Sequence, residues 1–132
     1  MKKNKIHIFN DNIFPRCLFI VVTDSAEYLN DIFEDFEREN GIKQDEYDRA
    51  DAITFRCRHR ESGLYGVCVA FVNKKAMNVS NMAHEAVHVS AGIHYELGMS
   101  MGFNIGEDET FAYIAGWSAD CMNQVRTNKF RD

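Results

Sequence analysis

The chain is poor in residues that break or loosen a backbone. It has one proline and eight glycines in 132 residues, which excludes a flexible linker and a collagen-like repeat. It also lacks any apolar run near the ~20 residues needed to cross a bilayer; Leu-Phe-Ile-Val-Val at 18–22 is typical of its apolar stretches. No long apolar stretch follows the opening Met-Lys-Lys-Asn-Lys, so no secretory signal or membrane partner is expected, and the chain reads as cytoplasmic. Positive charge is not in excess. Fifteen Lys and Arg stand against twenty Asp and Glu, a formal net charge of −5, which argues against a dedicated nucleic-acid binder with its basic stripe. The four cysteines, Cys17, Cys57, Cys68 and Cys121, show no CxxC spacing. Neither a zinc ribbon nor a redox motif is therefore expected, and without an export signal they should be reduced thiols.

What remains is a length and composition suited to one domain, residues 1–132, with a sizeable core: 45% hydrophobic residues and ten phenylalanines. Short strands are predicted at 6–9 and 17–22. A helix follows, capped by Asp24 or Ser25, with Leu29, Ile32, Phe33 and Phe36 spaced for one face and Asn40-Gly41 as its end. Between Asp24 and Asp51 lie eleven of the twenty acids and three basic residues, read as a solvated helix face followed by a polar loop over 42–51. Residues 53–58 alternate as a half-buried strand, and 65–72 are apolar on both faces. With Ser62-Gly63 as a two-residue turn, Ile53 would face Val72, Phe55 would face Ala70 and Cys57 would face Cys68, the two thiols packing as small core residues. Helices are predicted over 82–97, capped by Ser80 or Asn81 and closed by Gly98, and from Glu107-Asp108-Glu109 to about Val125. The order gives an α+β fold with a small, mostly antiparallel sheet, an N-terminal helix and two C-terminal helices.

The chemistry-bearing run is His84-Glu85-Ala86-Val87-His88. Histidines four apart on a helix share one face, so their imidazoles can converge on one zinc ion, while Glu85 can reach a water that the metal activates. This is the HExxH arrangement of zinc hydrolases. A catalytic zinc needs a third protein ligand and an open position. One candidate is His94, at the spacing of HExxHxxGxxH. That pattern breaks its helix at a glycine, but position 91 is Ala91, and the apolar pattern runs on through Ile93 and Leu97. In an unbroken helix His94 lies roughly 80° from the direction of His84 and about 15 Å along the axis. The other candidate is Glu109, in Glu-Thr-Phe-Ala, with Glu107 or Asp108 as neighbours able to take its place.

His84-Glu85-x-x-His88 with Glu109-x-x-Ala112-Tyr113 resembles the gluzincin type of zinc metallopeptidase. From His84 through Ala-Tyr-Ile-Ala-Gly-Trp at 112–117 the chain resembles small HExxH proteins encoded by phages and prophages. The resemblance implies a zincin-like fold, zinc held by His84, His88 and Glu109, a peptide or protein substrate, and peptide-bond hydrolysis with Glu85 as general base. If phage-encoded, the chain would act in host cytoplasm. Tyr113 departs from the family pattern, which often has an acid there; it would serve as a hydrogen-bond donor beside the metal or as a core aromatic. Tyr95, Tyr113 and His59 are candidate oxyanion donors. Strand 65–72 would be the edge that lines the substrate. A zinc-binding assembly or anti-host module without proteolysis, or a hydrolase of another amide or ester, would fit the same residues.

Overall fold

The computed structural model describes residues 5–131; residues 1–4, which bear on the export expectation, and residue 132 lie outside it. The fold is α+β. Five strands, β1 (Ile6–Phe9), β2 (Cys17–Val22), β3 (Phe33–Asp35), β4 (Ala52–His59) and β5 (Tyr65–Phe71), form a mixed sheet in the order β1-β2-β5-β4-β3. Among the described residues β2–β5 is parallel, and β1–β2, β3–β4 and β4–β5 are antiparallel. Helices α1 (Ala26–Ile32) and α2 (Gln44–Asp48) cover one face, and α3 (Val79–Leu97) and α4 (Glu109–Thr127) cover the other. No described helix is long and apolar enough to cross a membrane.

The two central strands are apolar on both sides because both sides are covered. Leu18, Ile20, Val67, Val69 and Phe71 meet Met82, Ala86, Val89 and Ile93 of α3 and Ile114 and Met122 of α4. Phe19, Val21, Cys68 and Ala70 meet Leu29, Phe33, Tyr47 and Phe55 on the opposite face. Burial of each large side chain contributes roughly 1.5–3 kcal/mol.

Three local expectations change. First, the helix opened by Ser25, whose side chain accepts from Tyr28 N–H at 3.1 Å, stops at Ile32. Phe33 turns extended and starts β3. Its ring enters an aromatic cluster with Phe19 at 5.2 Å and Phe55 at 5.9 Å, and tertiary packing outweighs the weak helical propensity of a seven-residue segment. Glu34 and Glu37, read as a solvated face, instead pair with Arg58 at 3.0 Å and Arg56 at 3.3 Å. Second, the polar stretch read as a loop contains α2, anchored by buried Tyr47, whose hydroxyl donates to Thr23 O at 2.6 Å. Third, the β4–β5 connection is a four-residue loop closed by His59 N–H to Leu64 O at 2.8 Å, with Gly63 at a φ of 76°. The register therefore slips by two: Phe55 faces Cys68, and Cys57 faces Gly66. A slip of two keeps every side chain on its expected face.

Helix α3 begins earlier than predicted. Asn78 caps it by accepting from Asn81 N–H at 2.8 Å, and Gly98, at a φ of 65°, ends it as read. All four cysteines are buried and free. Burial raises the Cys57 and Cys68 thiols well above their ordinary range and Cys121 to about 12. A neutral-pH alkylating reagent should therefore leave Cys57, Cys68 and Cys121 unlabelled in the native protein and label them after unfolding. Rapid native labelling of Cys57 or Cys68 by mass spectrometry would contradict this packing.

Candidate metal centre

Helix α3 lies across β4 and β5 and presents one flank to β4 and another to α4, which decides what can meet its histidines. At about 100° per residue, Glu85 and Gly92 lie within roughly 60° of His88, whereas Ser90 and His94 lie roughly 160° and 120° away from it. The first flank faces β4: Glu85 Oε1 accepts from Thr54 Oγ1 at 2.7 Å, and Glu96 meets Arg56 at 3.0 Å. The Ser90 flank faces α4: Ser90 Oγ donates to Phe111 O at 2.8 Å, and the His94 ring lies 5.2 Å from Phe111.

His84 and His88 project together from the exposed side of the β4 flank. Their Nε2 atoms are 3.2 Å apart and their rings 4.8 Å apart, nearly edge to face. Two nitrogens each 2.0–2.1 Å from a tetrahedral zinc stand about 3.3–3.4 Å from one another, so the pair has the spacing that a shared ion requires. A single Nε2–H···Nε2 hydrogen bond also satisfies this distance in the metal-free pair. Glu85 is buried, with 7% of its surface exposed, and its Oε2 lies 3.9 Å from His84 Nε2. A buried carboxylate needs a partner, and Thr54 supplies one while leaving Oε2 turned toward the imidazoles. Replacing Thr54 with valine, which keeps the shape and removes the donor, should destabilise the protein by about 1–3 kcal/mol in denaturant unfolding. An unchanged midpoint would show that Glu85 does not depend on this bond.

The other predicted site residues are placed elsewhere. Glu109 is the exposed first residue of α4 and lines a shallow groove of about 330 Å³ with Ile13, Phe14, Thr110 and half-exposed Tyr113. It belongs to the helix packed on the Ser90 flank, and no three His, Cys, Asp or Glu side chains form a metal-holding group among the described residues. His94 is buried on that same flank; its Nδ1 lies 2.8 Å from Ser90 O, its Nε2 has no partner, and α3 runs unbroken past it. His59 is excluded as an oxyanion donor. It belongs to the face of the sheet away from α3, stacked near Phe19 and Phe33, with Nδ1 2.7 Å from Ser62 Oγ. Of the tyrosines, Tyr95 shares the His88 groove and is largely exposed.

The substrate-lining edge is also corrected. β5 is central, between β2 and β4. The open edge belongs to β4: β3 pairs only with Cys57, Arg58 and His59, leaving 52–55 without a strand on that side among the described residues. Just beyond, Phe36 N–H donates to Arg56 O at 3.0 Å and Glu37 Oε2 accepts from Arg56 N–H at 2.8 Å. Thr54, Arg56 and Glu37 carry no motif. They could have been noticed only because the polar positions of the 53–58 alternation need partners when both sheet faces are covered. Comparison with protein families, with curated proteins and with solved structures finds no match to this chain.

Proposed function

We propose that the chain is a zincin-like, zinc-dependent hydrolase of peptide bonds, with His84 and His88 as imidazole ligands and Glu85 as general base. The 3.2 Å approach of the two Nε2 atoms, with the Glu85 carboxylate beside them, carries this reading. Zinc, when bound, supplies a Lewis acid that lowers the pKa of water and polarises a carbonyl. Glu85 contributes a fixed acceptor: Thr54 occupies one oxygen, and the other can take a proton and later return it to a leaving nitrogen. An extended peptide can lie along β4 at 52–55 by main-chain pairing, which sets its carbonyls beside α3. Tyr95 is the candidate oxyanion donor that shares a groove with His88. Glu109 completes the ligand set in this proposal. Its recruitment requires the first turn of α4 to shift around α3, and Asp108 makes no side-chain cap that would hold that turn in place.

The position of Glu109 on the other flank favours a second reading, a zinc-binding module without proteolysis. Digestion of an unbiased peptide library by zinc-loaded protein separates the two. Cleavage lost in Glu85→Gln supports the hydrolase; full zinc occupancy with no cleavage supports the module.

A further inference from the structure

The two imidazoles at 3.2 Å supply half of a tetrahedral zinc shell, and the neighbouring donors on the same chain are engaged or placed elsewhere. Glu85 is tied to Thr54, His94 is buried against α4, and Glu109 starts the helix on the Ser90 flank. The surface around the pair is also distinctive. At about 100° per residue, Ser80, His84, Val87, His88, Ala91 and Tyr95 fall within an arc of roughly 100°, and all six are exposed. None is Asp, Glu, Lys or Arg, although those residues make up 27% of the chain and the outward face of a helix normally carries them. The charged residues of α3, Glu85 and Glu96, turn toward β4. There Arg16 and Arg56 balance Glu96 and Glu37.

A second copy of the chain brings an identical pair. Twofold association sets like patch on like patch, so two imidazoles from each chain make the four nitrogens of a closed zinc site. The rest of the stripe suits such a contact. Val87 and Tyr95, 50% and 72% exposed, offer apolar surface. Ser80 and Ala91, one turn before His84 and one turn after His88, are small enough to let another backbone approach. Each chain carries a net charge of −5, and a contact face without acids keeps that repulsion at a distance. Linkage through this face needs no rearrangement within the chain, whereas Glu109 reaches the pair only when the first turn of α4 shifts.

We propose that His84 and His88 form half of a zinc site that the same two residues of a second copy complete, so that scarce zinc links two chains through the exposed stripe of α3. The linked form has no open position for water or a peptide, so it is the latent state of the centre. That consequence rests on the hydrolase proposal; the linkage rests on the two imidazoles alone. When zinc exceeds the chains, mass action favours one ion on each chain and the linked form separates. The test is sedimentation velocity of the full chain during a zinc titration, with X-ray absorption of the same samples. At about half an equivalent of zinc the protein should sediment as a dimer with four imidazole nitrogens on the metal. In excess zinc it should return to a monomer with two. His84→Ala and His88→Ala, both at exposed positions, should stay monomeric at half an equivalent. Ala91→Lys keeps both ligands and sets like charges across the contact, so it should weaken the dimer at least about tenfold while still taking one zinc per chain. A dimer that persists in either histidine variant, one undiminished in Ala91→Lys, or one with only two imidazoles on its zinc would overturn the proposal. A zinc-bound protein that is monomeric at every ratio would overturn the linkage and leave the metal centre. A protein that takes no zinc would overturn both. A zinc-linked dimer whose one-zinc monomer cleaves no peptide would support the linkage and sink the hydrolase alone.

Discussion

Glu85→Gln should retain zinc and lose hydrolysis by about 10²–10⁴-fold, the usual contribution of a positioned general base. The substitution is nearly isosteric and keeps an oxygen for the Thr54 hydroxyl at the place where Glu85 Oε1 now accepts it at 2.7 Å. It removes the basicity of the second oxygen, 3.9 Å from His84 Nε2. Fold and metal uptake should therefore match the parent, measured by thermal unfolding and metal analysis, while turnover of a cleavable library peptide falls. Comparable turnover in the variant would remove Glu85 from the chemistry. Loss of zinc would instead make Glu85 part of the metal-holding set.

Gly66→Ala should unfold the protein or destabilise it by at least about 3 kcal/mol, the upper range for overpacking. Gly66 begins the parallel pairing of β5 with β2, opposite Cys17, and stands opposite Cys57 on β4. A methyl group there would overlap the Cys17 carbonyl and come within 2.8 Å of the Phe19 ring. Neither neighbour can yield cheaply. The carbonyl belongs to a central strand, and Phe19 is fully buried among Phe33 and His59. Circular dichroism and denaturant titration would show the loss. A variant as stable as the parent would mean that the β2–β5 register differs from Cys17↔Gly66.

The elements with strong periodicity or continuous apolarity were legible in the sequence. β2 and β5 are apolar on both faces because each is covered twice, and α3 and α4 carry long helical repeats, the first closed at Gly98 as read. The segment after Ile32 was not legible, since Leu29, Ile32 and Phe33 satisfy a helical spacing and a helix-to-strand switch equally well. Packing of Phe33 against Phe55, with Arg56 and Arg58 drawing in Glu37 and Glu34, decides it. The hairpin register failed because Ser62-Gly63 forms the second half of a longer loop, in which His59 Nδ1 also engages Ser62.

At the site, the His84–His88 convergence and the adjacency of Glu85 follow from helical spacing alone. The orientation of Glu85 by Thr54 does not, because it depends on which strand lies under α3. The expectation for Glu109 came from the resemblance of Glu109-x-x-Ala112 to a gluzincin ligand stretch, and such a resemblance does not say on which flank of α3 the next helix returns. Ser90 bonded to Phe111 fixes that flank.

X-ray absorption of zinc-loaded protein tests the metal centre most directly. Equimolar zinc with two imidazole nitrogens at 2.0–2.1 Å, lost when His84 and His88 are both changed to alanine, is the expected result. A protein that stays metal-free in excess zinc, or one whose bound zinc keeps the same spectrum in that double variant, would contradict it.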